Sequence, residues 1–352
     1  MASHRRPKPV GRTRASILTA AAATAVAISS QAGAAHAAPA PTKDQVKAQV
    51  DQLNQQAEVA TEAFNASTEK QQDLQKQVTQ LQDQVARQQG EVNGVQSRLA
   101  EVAAQQYRDG GISPTVQLML SSNPGDFLDK AGSASRMSAT QADTLKTFKS
   151  EQAKLDAQKA DTEHKLAELD TTTRNLKAQK EEIQGKLAQA TALLNTLTQK
   201  EKDELAAAAA KADADARNAA DKASRDTVRA PLDLPSGSAA VKALAAAETR
   251  IGATYVYGAA GPSTFDCSGL VQWAYRQAGV SLPRTADEQW HAGTSVGTNV
   301  ANARPGDLVV YEGGGHIAIY VGGGQVIHAP HTGTVVKYAS ATMMPITAIV
   351  RI

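Results

Sequence analysis

The chain of 352 residues contains a single cysteine, which excludes an intramolecular disulfide framework and any zinc or iron–sulfur centre built from several thiolates. Aromatic residues make up only 4 %. A single compact globule of this length would need more large core side chains, so part of the chain is expected to be extended helix. Charge of one sign is also lacking: 37 Lys+Arg stand against 35 Asp+Glu, which argues against a nucleic-acid partner. Neither a metal nor any other cofactor is expected.

The few basic residues in excess sit at the start. Arg5, Arg6, Lys8, Arg12 and Arg14 precede an apolar, Ala-rich stretch from Ile17 to Ile28, and Ala35-His36-Ala37 supplies small residues for cleavage. Residues 1–37 therefore read as a secretory signal peptide. The stretch is too short and Ala-rich for a good membrane span, which disfavours an uncleaved anchor. Arg5-Arg6 is followed by Pro7-Lys8-Pro9 rather than an apolar pair, which disfavours twin-arginine export. This segment carries five basic and no acidic residues, so the remainder is net −3. The expected mature protein is secreted and soluble outside the membrane.

Residues 43–205 read as a coiled-coil hairpin. From Val46 to Val102 an apolar seam runs in strict 4-3 steps, with 14 of 17 positions apolar and Gln71 and Gln88 among the exceptions. A second seam runs from Leu145 to Leu197 with 11 of 16 positions apolar. Gly110-Gly111, Pro114 and Asn123-Pro124-Gly125 break the pattern between them. Val116, Leu118, Met119, Leu120, Phe127 and Leu128 make residues 110–130 an apolar tip, either a small core or a docking surface. Two such arms fold most simply back on each other, each about 80–100 Å long; pairing between chains is the alternative. Residues 206–240 read as an Ala-rich helix end fraying into a flexible linker, with Pro231, Pro235 and Gly237 near its end.

Residues 241–352 hold most of the glycines, both tryptophans and the cysteine, and are long enough for a domain of their own. Helices are predicted over 241–251 and 268–278. Strands are predicted over 307–311, 317–321, 325–329 and 335–338, giving an α+β domain with an antiparallel sheet. Cys267 falls where the second helix starts, and a helix N-terminus stabilises a thiolate. A lone cysteine is often just a small buried residue. His316 at the start of one strand and His328 at the end of the next, joined by a Gly turn, can come together across a hairpin. A cysteine that attacks a carbonyl needs a base in reach, and the base needs a polar group to hold its tautomer. Cys267, His316 and His328 can fill those roles.

Four stretches carry a resemblance to a known family: Tyr255-Val256-Tyr257-Gly258, Asp266-Cys267-Ser268-Gly269-Leu270-Val271, Leu282-Pro283-Arg284-Thr285, and Pro305-Gly306-Asp307-Leu308-Val309 leading to His316-Ile317-Ala318-Ile319-Tyr320-Val321-Gly322 and His328-Ala329. In order and spacing, residues 241–352 resemble the NlpC/p60-type cell-wall peptidases, a reduced papain-like fold. The resemblance implies Cys267 as nucleophile, His316 as general base and then acid, and His328 as its orienter, with His331 an alternative. It implies that Tyr255 lies beside the cysteine and helps hold the oxyanion, and that Asp266, Ser268 and Arg284 contact substrate or shape the site. His291 reads as structural. The implied reaction is thiol-dependent hydrolysis of an amide bond in peptidoglycan stem peptides, typically D-γ-glutamyl to a diamino acid. The alternatives are a non-catalytic wall-binding scaffold, or an amidase or acyl transferase on the same fold. The N-terminal half resembles, in architecture only, secreted division-associated wall hydrolases, whose coil docks on a membrane-embedded regulatory complex. A coil that holds the peptidase inactive until a partner binds is the matching expectation.

Overall fold

The computed structural model describes residues 41–108, 116, 124–229 and 238–352. The signal-peptide reading of residues 1–37 and most of the apolar tip at 110–130 lie outside these residues. Helix α1 spans Lys43–Arg108 and α2 spans Pro124–Asn195. They run antiparallel: Gln71 Nε2 donates to Thr173 Oγ1, Gln88 Nε2 to Glu151 Oε2, and Lys186 Nζ to Gln56 Oε1. Val46, Val50, Leu74, Val78, Val92 and Val95 of α1 are buried, as are Leu155, Ile183 and Ala190 of α2. The polar seam residues Gln71 and Gln88, neither fully buried, thus bond across the pair.

Not every seam position is covered. Leu145, Leu166 and Leu194 are exposed. A straight helix drifts away from a 3.5-residue repeat, so residues that continue the sequence pattern rotate out of the two-helix contact. No helix among the described residues is long and apolar enough to cross a membrane.

The second arm ends at Asn195, and a new helix, α3, spans Gln199–Arg229. Thr198 and Glu201 form its start: Thr198 Oγ1 accepts from Glu201 N–H and Glu201 Oε2 accepts from Thr198 N–H, a reciprocal cap. The expectation of a fraying end after residue 206 is corrected here. Ala216 and Ala220 of α3 pack into the core of the C-terminal domain. Ala223 approaches Gly323 so closely that a Cβ on that glycine would lie 2.7 Å from the Ala223 Cβ. Lys337 Nζ pairs with Asp213 at 2.9 Å. An Ala-rich stripe reads as featureless in sequence, but small side chains let a helix lie close against a sheet. Residues 230–237 of the expected linker lie outside the described ones.

The C-terminal domain carries α4 (Ala239–Glu248), α5 (Cys267–Gln277) and α6 (Ala286–Trp290). Its sheet is antiparallel, in the order β1-β6-β2-β3-β4-β5. The strands are β1 (Thr294–Gly297), β2 (Leu308–Tyr311), β3 (His316–Gly322), β4 (Gln325–His328), β5 (Lys337–Ser340) and β6 (Ile346–Arg351). The four predicted strands are present within a few residues. β1 and β6 escaped prediction. β1 is short and polar, and β6 follows directly on Pro345. Yet β6 is central, paired with both β1 and β2. One core lies between α4, α5 and the sheet, with Phe265, Leu270, Val271, Tyr275, Leu308, Ile317, Ile319 and Ile327 all buried.

Candidate active site

Helix α5 is capped by Asp266, whose carboxylate accepts from Gly269 N–H at 2.7 Å. Cys267 is therefore the first helical residue, and Gly269 leaves room for Ala259, whose carbonyl would stand 2.2 Å from a Cβ there. On β3 and β4, the register pairs Ile319 with Ile327 and brings the outer ends of the hairpin together. His316 Nε2 lies 2.9 Å from His328 Nδ1, the two rings edge to face at 86°. Both histidines are buried. Burial, then the neighbouring His316, hold the His328 imidazole well below the usual histidine range, so it stays neutral. His331 Nδ1 instead meets its neighbour's carbonyl, Thr332 O, and His291 Nδ1 meets Asp287 O. Neither bonds to His316.

Arg284 reaches the same place. Its Nη2 pairs with Asp266 Oδ2 at 2.5 Å, its Nη1 with Asp266 Oδ1 at 3.1 Å, and Nη1 also donates to Ser268 Oγ at 2.8 Å. Asp266 Oδ2 further accepts from Gly258 N–H at 2.9 Å. Tyr255 is buried, and burial together with Cys267 and Asp266 pushes its phenol up, so it remains a donor. Gln289, which sequence reading passed over, is fully buried and donates from Nε2 to Ser268 O and Pro283 O, tying α5 to the Arg284 loop.

What covers this site comes from the other half of the molecule. Glu58, Thr61, Glu62 and Asn65 lie at i, i+3, i+4 and i+7 on one face of α1, and all four are buried. Glu62 Oε1 accepts from Ser268 Oγ at 2.7 Å and from Cys267 Sγ at 3.5 Å, and Glu62 Oε2 accepts from Ala286 N–H at 2.7 Å. Glu58 Oε2 stands 3.1 Å from His316 Nδ1, a close contact without directed hydrogen-bond geometry. Asn65 Nδ2 donates to Asp266 Oδ2 at 3.0 Å. Phe64 meets Tyr257 edge-on, ring centroids 5.8 Å apart, and Val59 packs by Gly315.

This contact overturns one expectation. The start of α5 was expected to favour a thiolate. Instead burial pushes the Cys267 thiol well up, and Glu62, Asp266 and Glu58 add to it. Desolvation and three carboxylates outweigh a helix-end effect of at most about 2 kcal/mol. With α1 in place the thiol is neutral, covered and a hydrogen-bond donor. Among the described residues, no group of three or more His, Cys, Asp and Glu is arranged to hold a metal ion.

The contact also carries a pH dependence. Burial, and then Asp266, push the Glu62 carboxyl up to about 6 from an ordinary 4.5, against the pull of Ser268, Ala286 N–H and Arg284. Cys267, Glu58, His316, Asp266, Arg284 and Tyr255 are the other ionisable groups around this contact. The docked helix thus holds a proton more tightly than the free one. Docking is favoured as pH falls through 6 and loses that contribution as pH rises. Labelling of Cys267 by a pyridyl disulfide, taken as a ratio to the Glu62→Ala variant at each pH, is expected to rise by roughly tenfold from pH 5 to 7. A flat ratio would remove Glu62 from the docking equilibrium.

Comparison with known proteins bears on the C-terminal domain. Residues 252–349 match the model of the NlpC/P60 family. A probable endopeptidase of Corynebacterium glutamicum is 42 % identical over 129 residues, which is 35 % of this chain and 61 % of that protein. The probable endopeptidase p60 of Listeria monocytogenes is 38 % identical over 98 residues, 27 % of this chain and 19 % of that one. Among solved structures, the NlpC/p60 domain of the peptidoglycan hydrolase SagA is 37 % identical, with 32 % of this chain and 98 % of that chain covered at a TM-score of 0.30. The chain thus spans less than two thirds of the curated relatives it matches. The family model begins at residue 252, after the helical half.

Proposed function

Taking as premise that residues 252–349 are an NlpC/P60 domain of papain-like fold, we propose that the protein is a secreted cysteine endopeptidase of peptidoglycan, held closed by its own helix α1. The observation that carries this is the convergence of Cys267, Ser268, Asp266 and His316 on one four-residue face of α1. A site of this composition needs covering only if it is dangerous when open.

With Glu58 and Glu62 withdrawn, the chemistry follows from the residues left. Neutral His328 accepts from His316 Nε2–H, which leaves His316 Nδ1, the nitrogen facing α1, as the basic one. His316 takes the Cys267 proton, and the thiolate attacks the amide carbon. Tyr255 O–H and backbone donors at the start of α5 stabilise the oxyanion. His316 then protonates the departing amine, leaving a thioester, and a water deprotonated by His316 hydrolyses it. Asp266, fixed by Arg284 and Gly258 N–H, keeps the helix start rigid. The bond proposed is D-γ-glutamyl to diamino acid in the stem peptide, and a partner that docks on the helical hairpin is the proposed trigger.

Mass spectrometry of purified stem peptides incubated with the whole chain carrying Glu58→Ala and Glu62→Ala tests this. A D-γ-glutamyl–diamino acid cleavage is expected, absent when Cys267→Ala is added. Cleavage that survives Cys267→Ala would sink the thiol mechanism.

A further inference from the structure

The helical half reaches the two histidines from a second side. His328 stands opposite Lys337 in the β4–β5 register, so the two side chains lie on one face of adjacent strands. Lys337 Nζ in turn meets Asp213 Oδ1 of α3 at 2.9 Å, the one carboxylate paired with it among the described residues. Asp213, Lys337 and the buried His328 line a single cleft of about 570 Å³ between α3 and strands β4 and β5. Ala216 and Ala220 hold α3 there, packed into the domain core.

We propose that Asp213, on α3 and outside the family domain, is a positioning residue for the peptidase reaction: by pairing with Lys337 it offsets the ammonium charge beside His328 and lets the His316–His328 pair take up the Cys267 proton. When the S–H proton moves to His316 Nδ1, the thiolate gains one negative charge and the histidine pair one positive charge. Burial, then His316 and then Lys337, all oppose a charge on His328. With the Asp213 carboxylate beside it, the ammonium adds little net charge to that wall of the site; without it, the charge stands alone. The other groups around the pair stay in place either way. His331 lies beyond β4, and Asp215 of α3 is already paired with Lys211. Tyr338 donates to Glu248 of α4, while His316 faces Glu58 of α1, Tyr311 of β2 and Glu312 of the β2–β3 turn. The helical half thus covers the site through α1 and completes it through α3. The proposal rests on the proposed peptidase reading for its reaction, but not for the proton equilibrium.

Two measurements separate those dependencies, both in the whole chain carrying Glu58→Ala and Glu62→Ala. Alkylation of Cys267 by iodoacetamide at pH 7, where the thiolate forms by proton transfer to His316, is compared with and without Asp213→Asn. The rate is expected to fall roughly threefold, since one unpaired charge seen largely through water moves a proton equilibrium by about half a pH unit. Lys337 and Asp213 are both part-exposed, and screening holds the effect to that size. Adding Lys337→Met is expected to restore the rate, and the difference to close as pH rises and the thiolate forms without His316. Equal rates at pH 7, or a fall that Lys337→Met leaves in place, overturn the proposal, and so does a fall that persists unchanged at high pH, the mark of a merely structural role. The kcat/KM for stem peptides at pH 7 is expected to follow the same order across the variants, and cleavage indifferent to Asp213→Asn overturns its part in the reaction. Cleavage by none of these proteins, with Cys267 still alkylated, overturns the peptidase reading, while the alkylation series still decides the role of Asp213.

Discussion

Replacing Glu58 and Glu62 together by alanine is expected to raise hydrolysis of purified cell wall by the whole chain at least about tenfold. Each hydrogen bond to a charged group contributes on the order of 1.5–3 kcal/mol. Glu62 makes two short ones and Glu58 faces the His316 ring. A loss of even about 1.4 kcal/mol shifts an opening equilibrium tenfold. The variant also removes two of the carboxylates that keep the Cys267 thiol neutral, so exposure and reactivity rise together. Point variants test this better than deletion of the helical half. Removing everything before residue 237 would also strip Ala216 and Ala220 from the domain core and expose the sheet that α3 covers. Dye release from labelled wall is the measurement, with circular dichroism confirming that both proteins stay helical. An unchanged rate would count against closure by α1.

His316→Ala in that opened background is expected to reduce hydrolysis on the order of 10⁴-fold or more, since base and nucleophile act as a unit. The variants of His328 are more informative. His328→Leu takes away the one hydrogen-bond partner that His316 Nε2 has among the described residues, and should cost about 10²- to 10⁴-fold through the wrong tautomer. His328→Asn retains a carbonyl oxygen that can accept from Nε2–H and should recover much of the loss. A purely structural role for His328 predicts lost thermal stability with the activity of the folded fraction and its pH profile unchanged. A positioning role predicts normal folding with a displaced pH profile.

The helix start at Cys267, the β3–β4 hairpin and the partnership of His316 with His328 were legible because they depend on local signals. A cap residue, a Gly turn and a period of two need only a few neighbouring residues to operate. Strand β6 was not legible, because its central place in the sheet is set by pairing with β1 and β2, remote in sequence. Helix α3 was misjudged for a related reason. Alanines at 216, 220 and 223 carry little hydrophobic pattern of their own, and their value appears only against a surface with a glycine at 323. A capping box, Thr198 with Glu201, was a readable sign that a new helix begins there.

By itself, then, the sequence determined the two long helical arms, the α+β domain behind them and the residues able to do thiol chemistry, since periodicity, caps and motif order are written in one dimension. The state of that chemistry was decided by the tertiary structure. Glu58, Thr61, Glu62 and Asn65 look like the ordinary wet face of a helix, polar residues beside an apolar seam. Only docking, across about 200 residues of chain from Asn65 and Glu62 to Asp266 and Cys267, turns them into ligands of the proposed active site. Burial and carboxylate charge then make a cysteine that its own helix would activate into a neutral, covered thiol.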